Sequence, residues 1–287
     1  MSFATCNLMG GLGNQLFQIF AVISYSIKRE RKFIFEYSEQ LHTGITRNTF
    51  WKSFLSNLIE YTTNNPNNQL IGSYLHKFPI YQERSFQFNE IPHDPQIPYI
   101  KLFGYFQSYK YFIDNWNAIK DLIKLDTQRS DICTEFNSIL STQYNISMHF
   151  RLGDYKTKQQ YHPIQPYEYY LKSMLHITSN IKDTNYKVIY FCEKEDNDTV
   201  NEIINKLKNN FSNISFIKAD DNIPDWKQML LMSCCNSNII ANSSFSWWSA
   251  FMNNYPDKYV CYPDNWFGPA MKNNTIDLFP IEWHKII

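Results

Sequence analysis

Ile146-Ser147-Met148-His149-Phe150-Arg151-Leu152-Gly153-Asp154-Tyr155 joins an apolar, β-prone run to a polar segment bent by a glycine. The run from Ile146 to Phe150 reads as a strand, and the chain after it repeats the alternation. A helix over Tyr167 to Ile177, a strand at Lys187 to Cys192 and a helix over Val200 to Lys208 come first. A strand at Ile214 to Ile217, a helix over Asp225 to Cys234 and a strand at Asn238 to Ala241 follow, and a helix over Ser246 to Met252 with a strand at Tyr259 to Tyr262 completes the series. Strands alternating with helices imply a parallel sheet covered on both faces, with ligands at the carboxyl ends of its strands. The expected class is α/β.

The beginning of the chain repeats the pattern. Ala4 to Met9 predicts a strand, Asn14 to Lys28 a helix, and Lys32 to Glu36 a second strand. From Thr43 to Ile100 the sequence is irregular, with prolines at 66, 79, 92, 95 and 98. Loops are expected there, with a short helix around Phe50 to Leu58. A strand at Ile100 to Gly104 and helices over Tyr109 to Lys124 and Asp131 to Ile139 follow. A junction near Ser141 to Tyr144 divides the chain into an N-terminal half, residues 1–142, and a C-terminal half, residues 143–287.

Composition removes several function classes. With 287 residues, 44% of them hydrophobic, the chain can fill a core without staples. Lys plus Arg and Asp plus Glu both total 27, so no net field concentrates nucleic acid or an acidic membrane surface. Six cysteines without C-x-x-C spacing, several inside apolar runs, fit a reducing compartment, and the seven histidines offer no H-x-x-x-H pair for zinc. The N-terminal residues lack a signal-peptide pattern, and no stretch reaches about 18 uninterrupted apolar residues. A cytoplasmic protein without an integral membrane segment is expected, in which the sequons at Asn145, Asn213 and Asn242 have no meaning.

Three segments carry chemistry. Gly10-Gly11-Leu12-Gly13-Asn14-Gln15 follows a strand and opens a helix, where glycines and helix-end amides admit a phosphate or sugar. Leu16 occupies the third glycine position of a G-x-G-x-x-G dinucleotide fingerprint, which argues against a Rossmann oxidoreductase. In the opening stretch Arg151 offers a planar fork of donors suited to a pyrophosphate, and Asp154 either orients it or bonds to the ligand, a strand-end salt bridge between the two being the plain alternative. In Ala241-Asn242-Ser243-Ser244-Phe245-Ser246-Trp247-Trp248, serine hydroxyls and amides at a helix entry suit phosphate oxygens, and Ser244 or Ser246 also reads as a simple N-cap.

GGLGNQLFQ (10–18), HFRLGDY (149–155) and IIANSSFSWWSAF (239–251), in this order, closely resemble the alpha-1,2-fucosyltransferases of glycosyltransferase family 11. LFGYFQSYKYF (102–112) and LLMSCCNSNIIANSSFSWW (230–248) extend the likeness nearly end to end. The resemblance implies a GT-B fold of two Rossmann-like halves facing across a cleft, with the acceptor on the N-terminal side and GDP-fucose held by the C-terminal half. It further implies inverting transfer of L-fucose to O-2 of a terminal galactose in an acceptor glycan. No metal or other cofactor is required, and GDP-fucose and the galactose-containing glycan are the expected partners.

Carried over, Arg151 is the catalytic pyrophosphate ligand with Asp154 beside it, and His149 lies next to the nucleotide. Gly11, Gly13 and Asn14 lie near the phosphates and fucose, and Ser243, Ser244, Phe245 and Ser246 close the phosphate site. The chain departs from the family in two places: Phe191-Cys192-Glu193-Lys194-Glu195-Asp196 replaces the usual Phe-Ser-Asp-Asp, and Gln228 stands where an acidic residue is common. Both positions are expected to face the nucleotide, which makes Glu193 a further candidate ligand. Asp154, Glu193 and Asp196 are candidates for taking the acceptor proton.

Two other readings remain at this level. Asp196-Asn197-Asp198 mimics the D-x-D tripeptide with which GT-A glycosyltransferases hold a divalent metal through Asp196 and Asp198. The 17% aromatic content suits a non-catalytic sugar-binding module.

Overall fold

The computed structural model describes residues 1–42, 44–140, 143–181 and 185–287. Thr43, at the head of the irregular stretch, and residues 141–142 of the expected junction lie outside the described residues. The chain forms two compact units. One holds residues 1–126 with 273–280, the other residues 127–272 with 281–287.

The first unit is built on a parallel sheet in the order β2 (Lys32–Phe33), β1 (Phe3–Cys6), β6 (Tyr99–Phe103), β5 (Ile80–Gln82). Strand β1 (Phe3–Cys6) runs into α1 (Leu12–Lys28), which returns the chain to β2 (Lys32–Phe33). The helix starts two residues earlier than the sequence predicts, and the first strand stops at Cys6, leaving residues 7–11 as a connecting loop. Leu16, Phe17, Ile19, Phe20, Val22 and Ile23 of α1 are fully buried, a broad apolar face that fits a helix lying on a sheet.

The irregular region carries an antiparallel pair, β3 (Gln40–Leu41) with β4 (Arg47–Asn48), and short helical turns that include α2 (Gln69–Gly72). Residues 50–58 are turns leading into a 3-10 segment at Ser56–Tyr61, not an α-helix. Strand β5 (Ile80–Gln82), unforeseen in the sequence, pairs with β6 (Tyr99–Phe103) as an edge strand. The predicted helix over Tyr109 to Lys124 resolves into two 3-10 turns followed by α3 (Trp116–Ile123).

Helix α4 (Leu125–Glu135) begins earlier than the expected Asp131 and belongs almost wholly to the second unit, so the division falls upstream of the expected 142/143 junction. Side-chain chemistry ties it there. Arg129 donates from Nε to Ser233 Oγ (3.2 Å) and from Nη2 to the Ser233 carbonyl (2.8 Å), and Lys227 pairs with Glu135 at 2.6 Å.

The second unit follows the expected alternation closely: β7 (Tyr144–His149), α5 (Tyr167–Asn180), β8 (Tyr186–Phe191), α6 (Asn197–Asn210), β9 (Ser215–Lys218) and α7 (Asp225–Ser233). It continues through β10 (Ser237–Ile239), α8 (Ser244–Met252), β11 (Val260–Pro263) and an unpredicted β12 (His284–Ile286). All strands are parallel, in the order β12-β11-β10-β7-β8-β9. Every residue of β7 and β8 is buried, as both-face coverage requires. Strand order reverses between β7 and β10, because successive strands run outward from β7 in one direction and from β10 in the other. In an open parallel sheet that reversal opens a crevice at the strand carboxyl ends.

Among the described residues no helix is long and apolar enough to cross a membrane.

Candidate active site

Three loops meet where the strand order reverses: those after β7, β8 and β10, three neighbours in the sheet. His149 ends β7, pairs in register with Phe191 at the end of β8, and is buried. Its ring lies 5.5 Å from that of Phe245 in the first turn of α8. Burial, reinforced by the Arg151 cation, lowers its pKa to about 3, so the imidazole is neutral at physiological pH. Its Nδ1 is buried with no hydrogen-bond partner.

Arg151 sits two residues beyond β7, held between carboxylates. Nη2 donates to Asp154 Oδ1 at 2.6 Å and Nη1 pairs closely with Glu193 Oε1. Its guanidinium also lies 5.3 Å from the centre of the Tyr155 ring, within cation–π range. Burial opposes the charge on Arg151, but Glu193, Tyr155 and Asp154 outweigh it and keep the guanidinium firmly protonated. The salt bridge between Arg151 and Asp154 anticipated as the plain reading is therefore present, and it fixes the direction of the fork.

Gly153 makes this geometry possible. Its φ is +34°, and a Cβ there would lie 2.5 Å from a Glu193 oxygen. The Gly153 amide donates to Asp196 Oδ2 at 2.8 Å, and Lys156 pairs with Asp196 Oδ1 at 2.7 Å. Asp196 is thus a buried brace between the loops after β7 and β8. Of the two D-x-D carboxylates, Asp196 bonds to Gly153 and Lys156, whereas Asp198 is exposed on the first turn of α6. Among the described residues no group of three or more His, Cys, Asp or Glu side chains is placed to hold a metal ion.

The third loop opens α8. The N-cap is Ser243, not Ser244 or Ser246, and its hydroxyl accepts from the Phe245 amide at 3.3 Å. Ser246 is buried, its hydroxyl within 3.4 Å of the Ala241 and Ser243 carbonyls. Ser244 and Phe245 are half-buried at the helix entry. Trp247 and Trp248 are fully buried, and Trp247 stacks on Phe251 at 4.8 Å, which anchors the helix. The amide end of α8, with its partial positive charge, thus opens at the carboxyl edge of the sheet that also presents Arg151.

Residues not singled out from the sequence complete the scaffold. The Tyr155 hydroxyl donates to the Asn242 carbonyl (3.1 Å), joining the loops after β7 and β10. Asn242 Nδ2 donates to the carbonyls of Pro163 (2.9 Å) and Trp266 (3.2 Å). His162 stacks on Tyr155 with ring centres 4.8 Å apart. Tyr155 stood inside the quoted segment, but its roles as bridge and stacking face depend on residues distant in sequence. Gln228, expected to face the nucleotide, donates from Nε2 to the Ile223 carbonyl at 2.8 Å.

Gly11, Gly13 and Asn14 belong to the first unit. Gly10 has φ +75°, Gly11 caps α1, and a Cβ on Gly11 would meet nothing within 4 Å. Asn14 Oδ1 accepts from Gln107 Nε2 at 2.8 Å, so the LFGYFQSYKYF segment supplies a partner that the sequence did not single out. Gln107 lies in a loop pinned by Glu83, whose carboxylate accepts the Tyr105 amide at 2.7 Å and the Phe106 amide at 3.0 Å.

The family model described as "Glycosyl transferase family 11" matches residues 2–286. An Escherichia coli protein named alpha-1,2-colitosyltransferase is 26% identical over 309 aligned positions, spanning 100% of this chain and 99% of its own. The E. coli O-antigen biosynthesis glycosyltransferase WbnK is 28% identical over 186 positions, 61% of this chain and 58% of its own. Among solved structures, E. coli ADP-heptose lps heptosyltransferase II superposes with a TM-score of 0.52 at 14% identity, over 100% of this chain and 90% of its own. A mutant of Arabidopsis thaliana FUT1 in complex with GDP gives 0.50 at 11% identity, over 97% and 75%. These are GT-B transferases, and the parallel α/β architecture found here is theirs. With the match running from residue 2 to residue 286, the chain belongs to glycosyl transferase family 11.

Proposed function

We propose that this glycosyltransferase moves L-fucose from GDP-fucose, with inversion and without a metal, to a hydroxyl of an acceptor glycan, O-2 of a terminal galactose being the expected site. The observation that carries the reading is the convergence of Arg151 with the amide end of α8 at the strand-order reversal. One fixed cation and one helix terminus suit the two phosphates of a nucleoside diphosphate, and Phe245 offers an aromatic face beside them.

In the transfer, the bond from the fucose anomeric carbon to the β-phosphate oxygen breaks, and its electron pair leaves with GDP. The acceptor oxygen bonds to the opposite face of that carbon and gives its proton to a base. Arg151 and the α8 amides stabilise the charge that develops on the leaving phosphate. Asp154 keeps the fork aimed. Asp196 is committed to Gly153 and Lys156, and Asp154 and Glu193 to Arg151 on the leaving-group side, so none of the three carboxylates stands free to take the proton on the opposite face.

A second sugar has support of its own. The full-length relative is named for colitose, so a nucleotide-activated colitose is the alternative donor on the same machinery.

The test is nucleotide release by purified protein, with GDP-fucose and activated colitose offered separately to a galactoside panel, with and without EDTA, beside Arg151→Ala. Turnover that survives EDTA and falls at least about a hundredfold in the variant is expected. Activity abolished by EDTA, or an Arg151→Ala enzyme that keeps its rate, would sink the metal-free scheme. Turnover with colitose alone would replace the sugar and leave the rest.

A further inference from the structure

We infer that Glu193 is a specificity residue that discriminates between the nucleotide-sugar donor and the nucleotide product, weakening the enzyme's hold on the product so that it leaves. The inference rests on the proposal that Arg151 holds the diphosphate.

Arg151 faces two carboxylates that are not equivalent. Asp154 follows three residues later on the same loop and has a second cation nearby, Lys158 at 3.6 Å. Glu193 reaches Arg151 from the loop after β8. Its side chain is 47% exposed, against 34% for Asp154 and 21% for Arg151. A phosphate that takes up the Nη1 side of the guanidinium therefore displaces Glu193 and leaves Asp154 in place.

Displacement does not carry Glu193 far. Its backbone carbonyl accepts the Asp196 amide at 3.0 Å, and Asp196 is bolted to Gly153 and Lys156. The backbone of Glu193 thus stays fixed, and its carboxylate remains within a side chain's reach of the phosphates, close to the bare Cα of Gly153.

Charge then separates donor from product. Each phosphate of a sugar-linked diphosphate carries one negative charge, because both are esterified. Release of the sugar frees the terminal phosphate, whose second ionisation lies near pH 6, so the product gains close to one further charge at neutral pH. An added charge several ångströms from a carboxylate is disfavoured roughly fivefold or more at a partly exposed site. The penalty falls on the product and spares the donor.

Isothermal titration of GDP and GDP-fucose into the full chain, wild type beside Glu193→Gln and Glu193→Ala, tests this. Both variants are expected to bind GDP about fivefold more tightly and GDP-fucose with a smaller gain, so that the ratio of the two Kd values shifts toward product. At donor concentrations near KM, inhibition by added GDP strengthens in parallel. Weaker GDP binding in Glu193→Gln, or equal gains for the two nucleotides, would overturn the inference while leaving the donor reading intact. Wild-type protein that binds neither nucleotide would overturn the donor reading and this inference with it.

Discussion

Arg151 meets three different demands through three neighbours: Asp154 aims it, Glu193 occupies its outer side, and Tyr155 supports its face. A lysine at this position would keep the charge and lose the fork, since one ammonium cannot serve two carboxylates and a ring in fixed directions. His149, two residues earlier, has a distinct physical consequence. Its folded pKa of about 3 lies below the ordinary value of 6.5. The unfolded chain therefore takes up a proton as pH falls through 6.5, whereas the folded protein does not until near 3. The stability contributed by neutral His149 is complete above pH 6.5 and is lost progressively below it, at up to about 1.4 kcal/mol per pH unit. Urea unfolding at pH 7 and pH 5 is expected to show this loss, and His149→Gln to flatten the difference; an unchanged slope in the variant would assign the acid sensitivity elsewhere.

At the scale of elements, α8 depends on a cap that is also placed to meet the ligand. Ser243→Ala removes the hydroxyl that accepts the Phe245 amide and is expected to cost about 1 kcal/mol of stability. Because that amide end is the proposed phosphate seat, the same change is expected to weaken GDP binding severalfold, read by titration beside the urea curve. A stability loss with unaltered GDP affinity would separate the cap from the ligand. The elements of the second unit were legible in the sequence because central parallel strands such as Tyr144–His149 and Tyr186–Phe191 are buried along their whole length and read as continuous β-prone runs. The edge strands β5 and β12 gave no such signal. Ile80–Gln82 follows Pro79 and is largely exposed, and His284–Ile286 is short and polar, so neither shows a period that separates it from a loop. Tyr109–Lys124 fared differently, since its apolar spacing suits a helix while Tyr111 and Phe112 are buried against the unit's own core, and the chain takes two 3-10 turns before α3.

For the whole molecule, the chain does not finish one unit before completing the other: residues 273–280 return to the first, and 281–287 close the second. The last segment carries Trp283, buried with its ring 5.4 Å from Trp247, and strand β12 on the edge of the six-stranded sheet. Trp283→Ala is expected to destabilise the protein by about 3 kcal/mol, measured as a lowered urea midpoint, with the loss felt at α8 as weaker GDP binding. Stability within about 0.5 kcal/mol of wild type would show that the C-terminal strand is dispensable to that core.

The sequence by itself determined the α/β class, the parallel sheets, the family and the three segments from which the site is drawn, because hydrophobic periodicity and short glycine-bearing motifs are local properties of the chain. Only the tertiary structure decided that α4 joins the second unit, that Ser243 and not Ser244 or Ser246 caps α8, that Asp196 braces a loop, and that Glu193 pairs with Arg151. Each of these is a pairing between groups whose approach depends on strand register and loop path. A carboxylate 42 residues from its arginine finds it because β7 and β8 lie side by side, and nothing in the residues between them encodes that meeting.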